Sequence, residues 1–186
     1  MRIKNNHIIL VAFYLIISLN SLPCSTQILD EDSLRSILRL NISDQSKIDA
    51  LNEFAFLEAS LDPLRAIEYT SEARLLSKRI GDVKRESISL RRRAKAYSIL
   101  SFDSLAVNFA TEALVLQERI NDIYGTGKSN FQISSSHFRL GNYSVAEKHA
   151  FKSIEVFQLL SQKNSLSKSL QLILDIYEKQ GRNNKD

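Results

Sequence analysis

The sequence predicts an all-α protein built as a solenoid of antiparallel helix pairs. Between Phe102 and Asp122, apolar residues recur at steps of three and four, the period of an amphipathic helix. Similar segments lie about 40 residues before and after it, and a fixed period in this range is typical of helical repeats. The chain of 186 residues contains only 5 Gly and 2 Pro, which favours helices over a turn-rich β fold.

Residues 1–25 have the order of parts of a secretory signal peptide. Arg2 and Lys4 precede an apolar run from Ile8 to Ile17, which is shorter than the roughly 20 residues that span a bilayer. We therefore expect an exported protein, periplasmic or secreted, without a stable membrane span after cleavage. An uncleaved N-terminal anchor and lipidation of Cys24 are the alternatives.

The charge of the mature chain is close to balanced. The full chain carries a net charge of +4, and removal of Arg2 and Lys4 with the signal lowers it to +2. No basic stripe interleaved with aromatic residues suggests a nucleic-acid surface, so we expect no nucleic-acid partner. Cleavage after Cys24 would leave no cysteine for a disulfide.

The elements follow from helical periodicity and from turn residues. Residues 26–43 are predicted to hold an N-terminal capping helix, residues 44–181 the repeat domain, and residues 182–186 a polar tail. The predicted helices are Asp30–Leu40, Asp44–Leu61, Pro63–Ile80, Val83–Leu100, Ser104–Ile120, Gly127–Leu140, Tyr143–Leu160 and Ser165–Gln180.

Small residues recur at matching places in the repeats. Two helices that cross closely leave no room there for a larger side chain, and overfilling such a site costs about 1–3 kcal/mol. The matching positions are Ala66, Ala106 and Ala146, and then Ala73, Ala113 and Ser153.

These positions carry a family resemblance. Tyr97, Ser101, Ala106, Phe109 and Ala113, repeated as His137, Gly141, Tyr143, Ala146 and Ser153, resemble the tetratricopeptide repeat. The segment from about Lys47 to Gly181 is most similar to the variety with a period near 40 residues found in extracytoplasmic parts of bacterial sensor kinases. The resemblance implies a right-handed solenoid that binds proteins or peptides in a concave groove, without enzymatic activity or a cofactor.

Several positions depart from the family pattern. Phe54 and Leu174 stand where the family prefers Gly or Ala, and Asn130 replaces an apolar residue. No membrane helix or catalytic module follows Gly181 in this sequence, so one alternative is a truncated periplasmic input region of a membrane-bound sensor kinase. Self-association through the groove is also open.

The segment Gly125 to Ser129, GTGKS, resembles part of a phosphate-binding loop. The full motif requires a glycine at the position that Asp122 occupies, and a preceding strand. A nucleotide-binding enzyme is therefore a less favoured alternative. We interpret this segment as the entry to a repeat helix.

No catalytic or metal-binding set is evident. His137 occupies the same repeat position as Tyr97 and Tyr177, which is typical of a packed side chain, and His149 is the other histidine of the mature chain. We expect neither to bind a metal.

The resemblance places a set of residues at or near the groove. We expect Arg91, Lys95 and Arg139 to bind acidic groups of an extended peptide, and Phe131 and Phe138 to supply apolar contact. A solvated basic helix face is the alternative. The full candidate set is Arg91, Lys95, Phe131, Ser135, Phe138, Arg139, Gln171 and Asp175.

Two local hypotheses complete the prediction. Arg93 is expected to form a salt bridge with Glu53, which lies one repeat earlier. The helix after Asp122 is expected to be the weakest, because Gly125 and Gly127 each cost about 1 kcal/mol relative to Ala. We therefore predict that it is mobile and becomes ordered when a partner binds.

Overall fold

The protein is all-helical in the part of the chain that the computed structural model describes, residues 36–181. Residues 36–39 are helical and bury Ile37. The predicted signal peptide, the start of the capping helix and the polar tail lie outside these residues. Seven longer helices follow: α1 (Asp44–Glu58), α2 (Pro63–Arg79), α3 (Val83–Ile99), α4 (Asp103–Arg119), α5 (Ile123–Arg139), α6 (Tyr143–Leu159) and α7 (Lys163–Lys179).

The 40-residue period consists of two equal halves. From α2 onward, helices of 17 residues begin every 20 residues and are separated by three-residue turns. Each of these turns contains one residue with positive φ. The amide of the next residue donates a hydrogen bond to the carbonyl five residues earlier, as the amide of Asp82 does to the carbonyl of Ser77. The positive-φ residues are Gly81, Ser101, Asn121, Gly141, Ser161 and Gly181.

Each helix packs against the next one along the chain. The odd-numbered helices also contact one another in series, α1 with α3, α3 with α5 and α5 with α7, whereas α2, α4 and α6 show no comparable contacts within residues 36–181. The odd helices are therefore closer together, and the layer that they form is the inner face of the array.

Small residues lie where the helices cross, as the repeat predicts. All six of the matching small residues are fully buried, namely Ala66, Ala106 and Ala146, and seven residues after each of them Ala73, Ala113 and Ser153. Buried serines accompany them and are satisfied locally: Ser134 donates to the carbonyl of Ala146 at 2.7 Å, and Ser153 lies 2.6 Å from Ser169, oxygen to oxygen.

The expected boundary of the helix after Asp122 is wrong. α5 begins at Ile123, four residues earlier than predicted, and the carboxylate of Asp122 accepts a hydrogen bond from the amide of Gly125. Gly125 and Gly127 are buried. A Cβ on Gly127 would lie 2.5 Å from Cγ1 of Val156. These glycines allow α5 to approach its neighbours closely.

The expected Arg93–Glu53 salt bridge is also wrong. Arg92 occupies that place: its Nη2 lies 3.1 Å from Oε2 of Glu53, and its Nη1 donates to the carbonyl of Asn52. Arg93, one position further round the helix, turns instead to Ser71 and covers the ring of Phe109. A step of one residue rotates a helical side chain by about 100°, which explains the exchange.

Candidate peptide-binding cleft

A cleft on the inner face collects cations from three of the odd helices. It encloses about 270 Å³ and is lined by five basic side chains, with no acidic side chain among its described lining residues. We call it the cationic cleft. Its basic residues are Arg91, Arg92, Lys95, Lys128 and Lys168.

Arg91 is one of the three cations that α3 contributes to this cleft. Its Nε is buried and has no hydrogen-bond partner within residues 36–181. Burial, with a smaller contribution from the charge of Arg92, lowers the pKa of Arg91 to about 10. The guanidinium is therefore still protonated at pH 7, and its positive charge is incompletely compensated by the protein.

Lys95 and Lys168 add uncompensated charge beside it. Partial burial and the like charges of Arg139 and Lys168 lower the pKa of Lys95. Neither lysine forms an ion pair in the described part of the chain. Such like charges in one concavity favour the entry of an anion.

Two of the five cations already have partners. Arg92 is bound to Glu53 and Asn52, and its guanidinium lies 5.2 Å from the centre of the Phe56 ring. Lys128 lies over the ring of Tyr124, with its nitrogen 4.2 Å from the ring centre. These contacts hold the two side chains in place, and Arg91, Lys95 and Lys168 remain for a ligand.

Apolar side chains form most of the remaining wall, together with Gln132 and Ser165. Phe56, Phe131 and Phe157 line the cleft together with Ala55 and Ala59. Phe56 is 64% exposed, which leaves a large ring available for contact. The cleft therefore offers positive charge and aromatic surface side by side.

Three of the eight predicted groove residues meet in this cleft, namely Arg91, Lys95 and Phe131. Arg139 lies elsewhere: its Nε donates to both carboxylate oxygens of Asp103, at 2.9 and 3.0 Å, and its Nη1 donates to Ser135 at 2.9 Å. Arg139 and Ser135 are thus engaged in a contact between α4 and α5.

The other predicted residues have different surroundings. Phe138 packs against the buried cluster between α6 and α7, and its ring centre lies 5.9 Å from that of Tyr143. Gln171 donates to Asp175 at 2.9 Å, so these two exposed groups are bonded to each other on α7.

The GTGKS segment forms the first turns of α5. The amide of Gly125 is bonded to Asp122, and Ser129 donates to the buried side chain of Gln117 at 2.7 Å. Neither group is arranged to wrap a phosphate. Lys128 is the member of this segment that lines the cationic cleft.

His137 and His149 stack on each other, with ring centres 6.4 Å apart. Nδ1 of His149 lies 2.8 Å from Oδ1 of Asn130. Burial, with smaller contributions from Lys152, His137 and Lys148, lowers the pKa of His149 to about 4. Within residues 36–181, no group of three or more His, Cys, Asp or Glu side chains could hold a metal ion.

Sequence reasoning missed Phe56, Lys128 and Lys168. A signal for the two lysines was present, because they lie 40 residues apart and so occupy equivalent repeat positions on α5 and α7. Phe56 carried no such signal. It lines the cleft from α1.

Compared with models of known protein families and with curated proteins, the chain matches neither a family nor a relative. None of the described helices combines the length and the apolar character that crossing a membrane requires.

Proposed function

We propose that this chain is a non-enzymatic binding scaffold that holds an extended, acidic segment of another protein along its inner helical face. The observation that carries the proposal is the set of unpaired cations, Arg91, Lys95 and Lys168, beside exposed aromatic surface in one cleft. The buried Nε of Arg91 lacks a hydrogen-bond partner, which is costly, and an anionic ligand would offset that cost.

We also propose that the helices form the architecture expected from the sequence, a right-handed array of tetratricopeptide type. Its support is the 40-residue period, realised as two helices and two turns, and the contact of successive odd helices. In such an array each unit adds a strip to a continuous inner surface, which suits an extended peptide better than a compact small molecule.

Recognition would divide between charge and apolar contact. A carboxylate of the ligand would bind the guanidinium of Arg91, and hydrogen bonds of that charged kind are each worth about 1.5–3 kcal/mol. Lys95 and Lys168 would attract a second acidic group. Phe56 and Phe131 would contact an apolar side chain next to the acids. The bound segment would therefore carry acidic residues beside an apolar residue.

We further propose that the protein acts after export, as residues 1–25 indicate. Fractionation of the source cells and N-terminal sequencing of the mature protein test this point. A chain that begins at Met1 and stays in the cytoplasm would contradict it.

The binding proposal is tested with labelled peptides and the full chain, by fluorescence anisotropy. The probe is a 12-residue peptide of alternating Glu–Glu and Phe–Ser pairs, and the control has Gln in place of every Glu. We expect the acidic peptide to bind at least tenfold more tightly than the Gln peptide, and the difference to shrink as salt rises to 0.5 M, where screening is strong. Equal affinities for the two peptides would overturn the proposal.

A further inference from the structure

The last of the described helices, α7, exposes an apolar face that the corresponding helices bury. Leu170 and Leu174 on α7 are 47% and 61% exposed. Forty residues earlier, Asn130 and Ser134 on α5 are 5% and 0% exposed. Leu90 and Ala94, the equivalent residues of α3, are fully buried as well.

The covering element in the earlier units is the following helix. Ala94 packs in one buried cluster with Ala110 and Leu114 of α4. Ser134 is bonded to the carbonyl of Ala146 on α6. Within residues 36–181 no helix takes that place beside α7, so this face lacks the partner that every earlier odd helix has.

The exposed face has the pattern of a self-complementary helix pair. Lys163, Ser167, Leu170, Leu174 and Glu178 are all exposed and follow one another at steps of four, three, four and four. The leucines lie in the middle, with a positive charge at one end and a negative charge at the other. Such a helix matches an antiparallel copy of itself.

We propose that a second copy of this chain covers the face, with its α7 antiparallel to the first. A two-fold axis through the middle of the pair places Leu170 against Leu174 of the second copy, an isologous contact. It also brings Lys163 within one helical turn of Glu178 of the second copy, at both ends. Lys168 lies about 120° away from Leu174 around the helix, so the cationic cleft stays open. This inference is independent of the ligand proposed for the cleft.

The first test is sedimentation equilibrium of the full chain over a range of concentrations. We expect a monomer–dimer equilibrium, and we expect Leu174→Glu to weaken dimerisation at least tenfold. The matched control is Leu75→Glu on α2, since Leu75 is 63% exposed and lies outside the proposed contact. A wild-type chain that stays monomeric at several hundred micromolar would overturn the proposal and leave another helix as the occupant.

Charge reversal gives a second test that does not depend on the leucines. Lys163→Glu alone places like charges together at both ends, and we expect it to weaken the dimer. Adding Glu178→Lys exchanges the charges and should restore the wild-type equilibrium. If the double variant dimerises no better than the single variant, the antiparallel arrangement is wrong.

Discussion

Arg139, the last residue of α5, forms an ion pair with Asp103, the first residue of α4. Its Nε lies 2.9 and 3.0 Å from the two carboxylate oxygens. The side chain of Asp103 is 7% exposed, so the carboxylate of this ion pair is largely shielded from water. A cation that the sequence assigned to peptide recognition therefore forms an ion pair within its own protein.

Arg139→Gln should lower stability and leave peptide affinity unchanged. The variant leaves the buried Asp103 carboxylate without its main partner, at a cost of about 1–2 kcal/mol because Arg139 itself is partly exposed. Urea denaturation measures the loss, and Asp103→Asn combined with Arg139→Gln should recover part of it. A stable Arg139→Gln variant with weakened peptide binding would contradict this assignment.

Gly141→Ala should destabilise the protein through the backbone alone. Gly141 has φ of 77°, and a Cβ there would meet nothing within 4 Å. The left-handed conformation costs a non-glycine residue about 1–2 kcal/mol. Ser101→Ala is the control, because Ser101 already adopts positive φ with a Cβ. Thermal unfolding should separate the two variants clearly; an equal effect would argue against the turn geometry.

Gly127→Ala distinguishes two explanations of the glycines in α5. Helix propensity alone predicts a gain of about 1 kcal/mol from this change. Close packing predicts a loss of about 1–3 kcal/mol, because the new Cβ would press on Val156 and Phe157. We expect a loss, measured by urea denaturation. A stabilised variant would favour the weak-helix hypothesis, and hydrogen exchange in α5 faster than in neighbouring helices would support its mobility.

Stability should fall as the pH drops below 6.5. The folded state holds the pKa of His149 near 4, whereas the unfolded chain has the ordinary value of 6.5, so the unfolded chain takes up the proton first. The stabilisation is present above pH 6.5 and is lost as the pH falls towards 4. His149→Gln should flatten this part of the profile of unfolding free energy against pH. An unchanged slope would show that other groups cause it.

The helical array was predictable because its signals are local. The 40-residue period and the small residues at Ala106 and Ala146 indicated the repeat, and turn residues such as Gly81 and Gly141 marked helix ends. The prediction failed at α5, where Gly125 and Gly127 were interpreted through propensity. Glycine is needed at these two positions because side chains of α4 and α6 lie against them. A single sequence does not show which distant side chains approach a glycine.

The site was predictable only in part. Repeat register placed Arg91, Lys95 and Phe131 on the inner face, and these three meet in the cleft. Register does not show which cations already have partners. For this reason Arg139 was assigned to peptide binding, and Arg93 instead of Arg92 was assigned to Glu53. Whether an arginine is already paired depends on acids from other repeats, here Asp103 and Glu53. Which arginine each acid contacts depends on side-chain geometry.

We propose that unpaired cations of the cationic cleft bind an acidic segment. The most direct measurement is the affinity of the acidic 12-residue peptide for Lys95→Glu/Lys168→Glu, compared with Lys84→Glu/Lys179→Glu. The control reverses two exposed lysines on the same helices, α3 and α7, at positions that do not line the cleft. We expect a loss of affinity of at least tenfold in the cleft variant and less than threefold in the control. Equal losses in the two variants, or none in either, would contradict it.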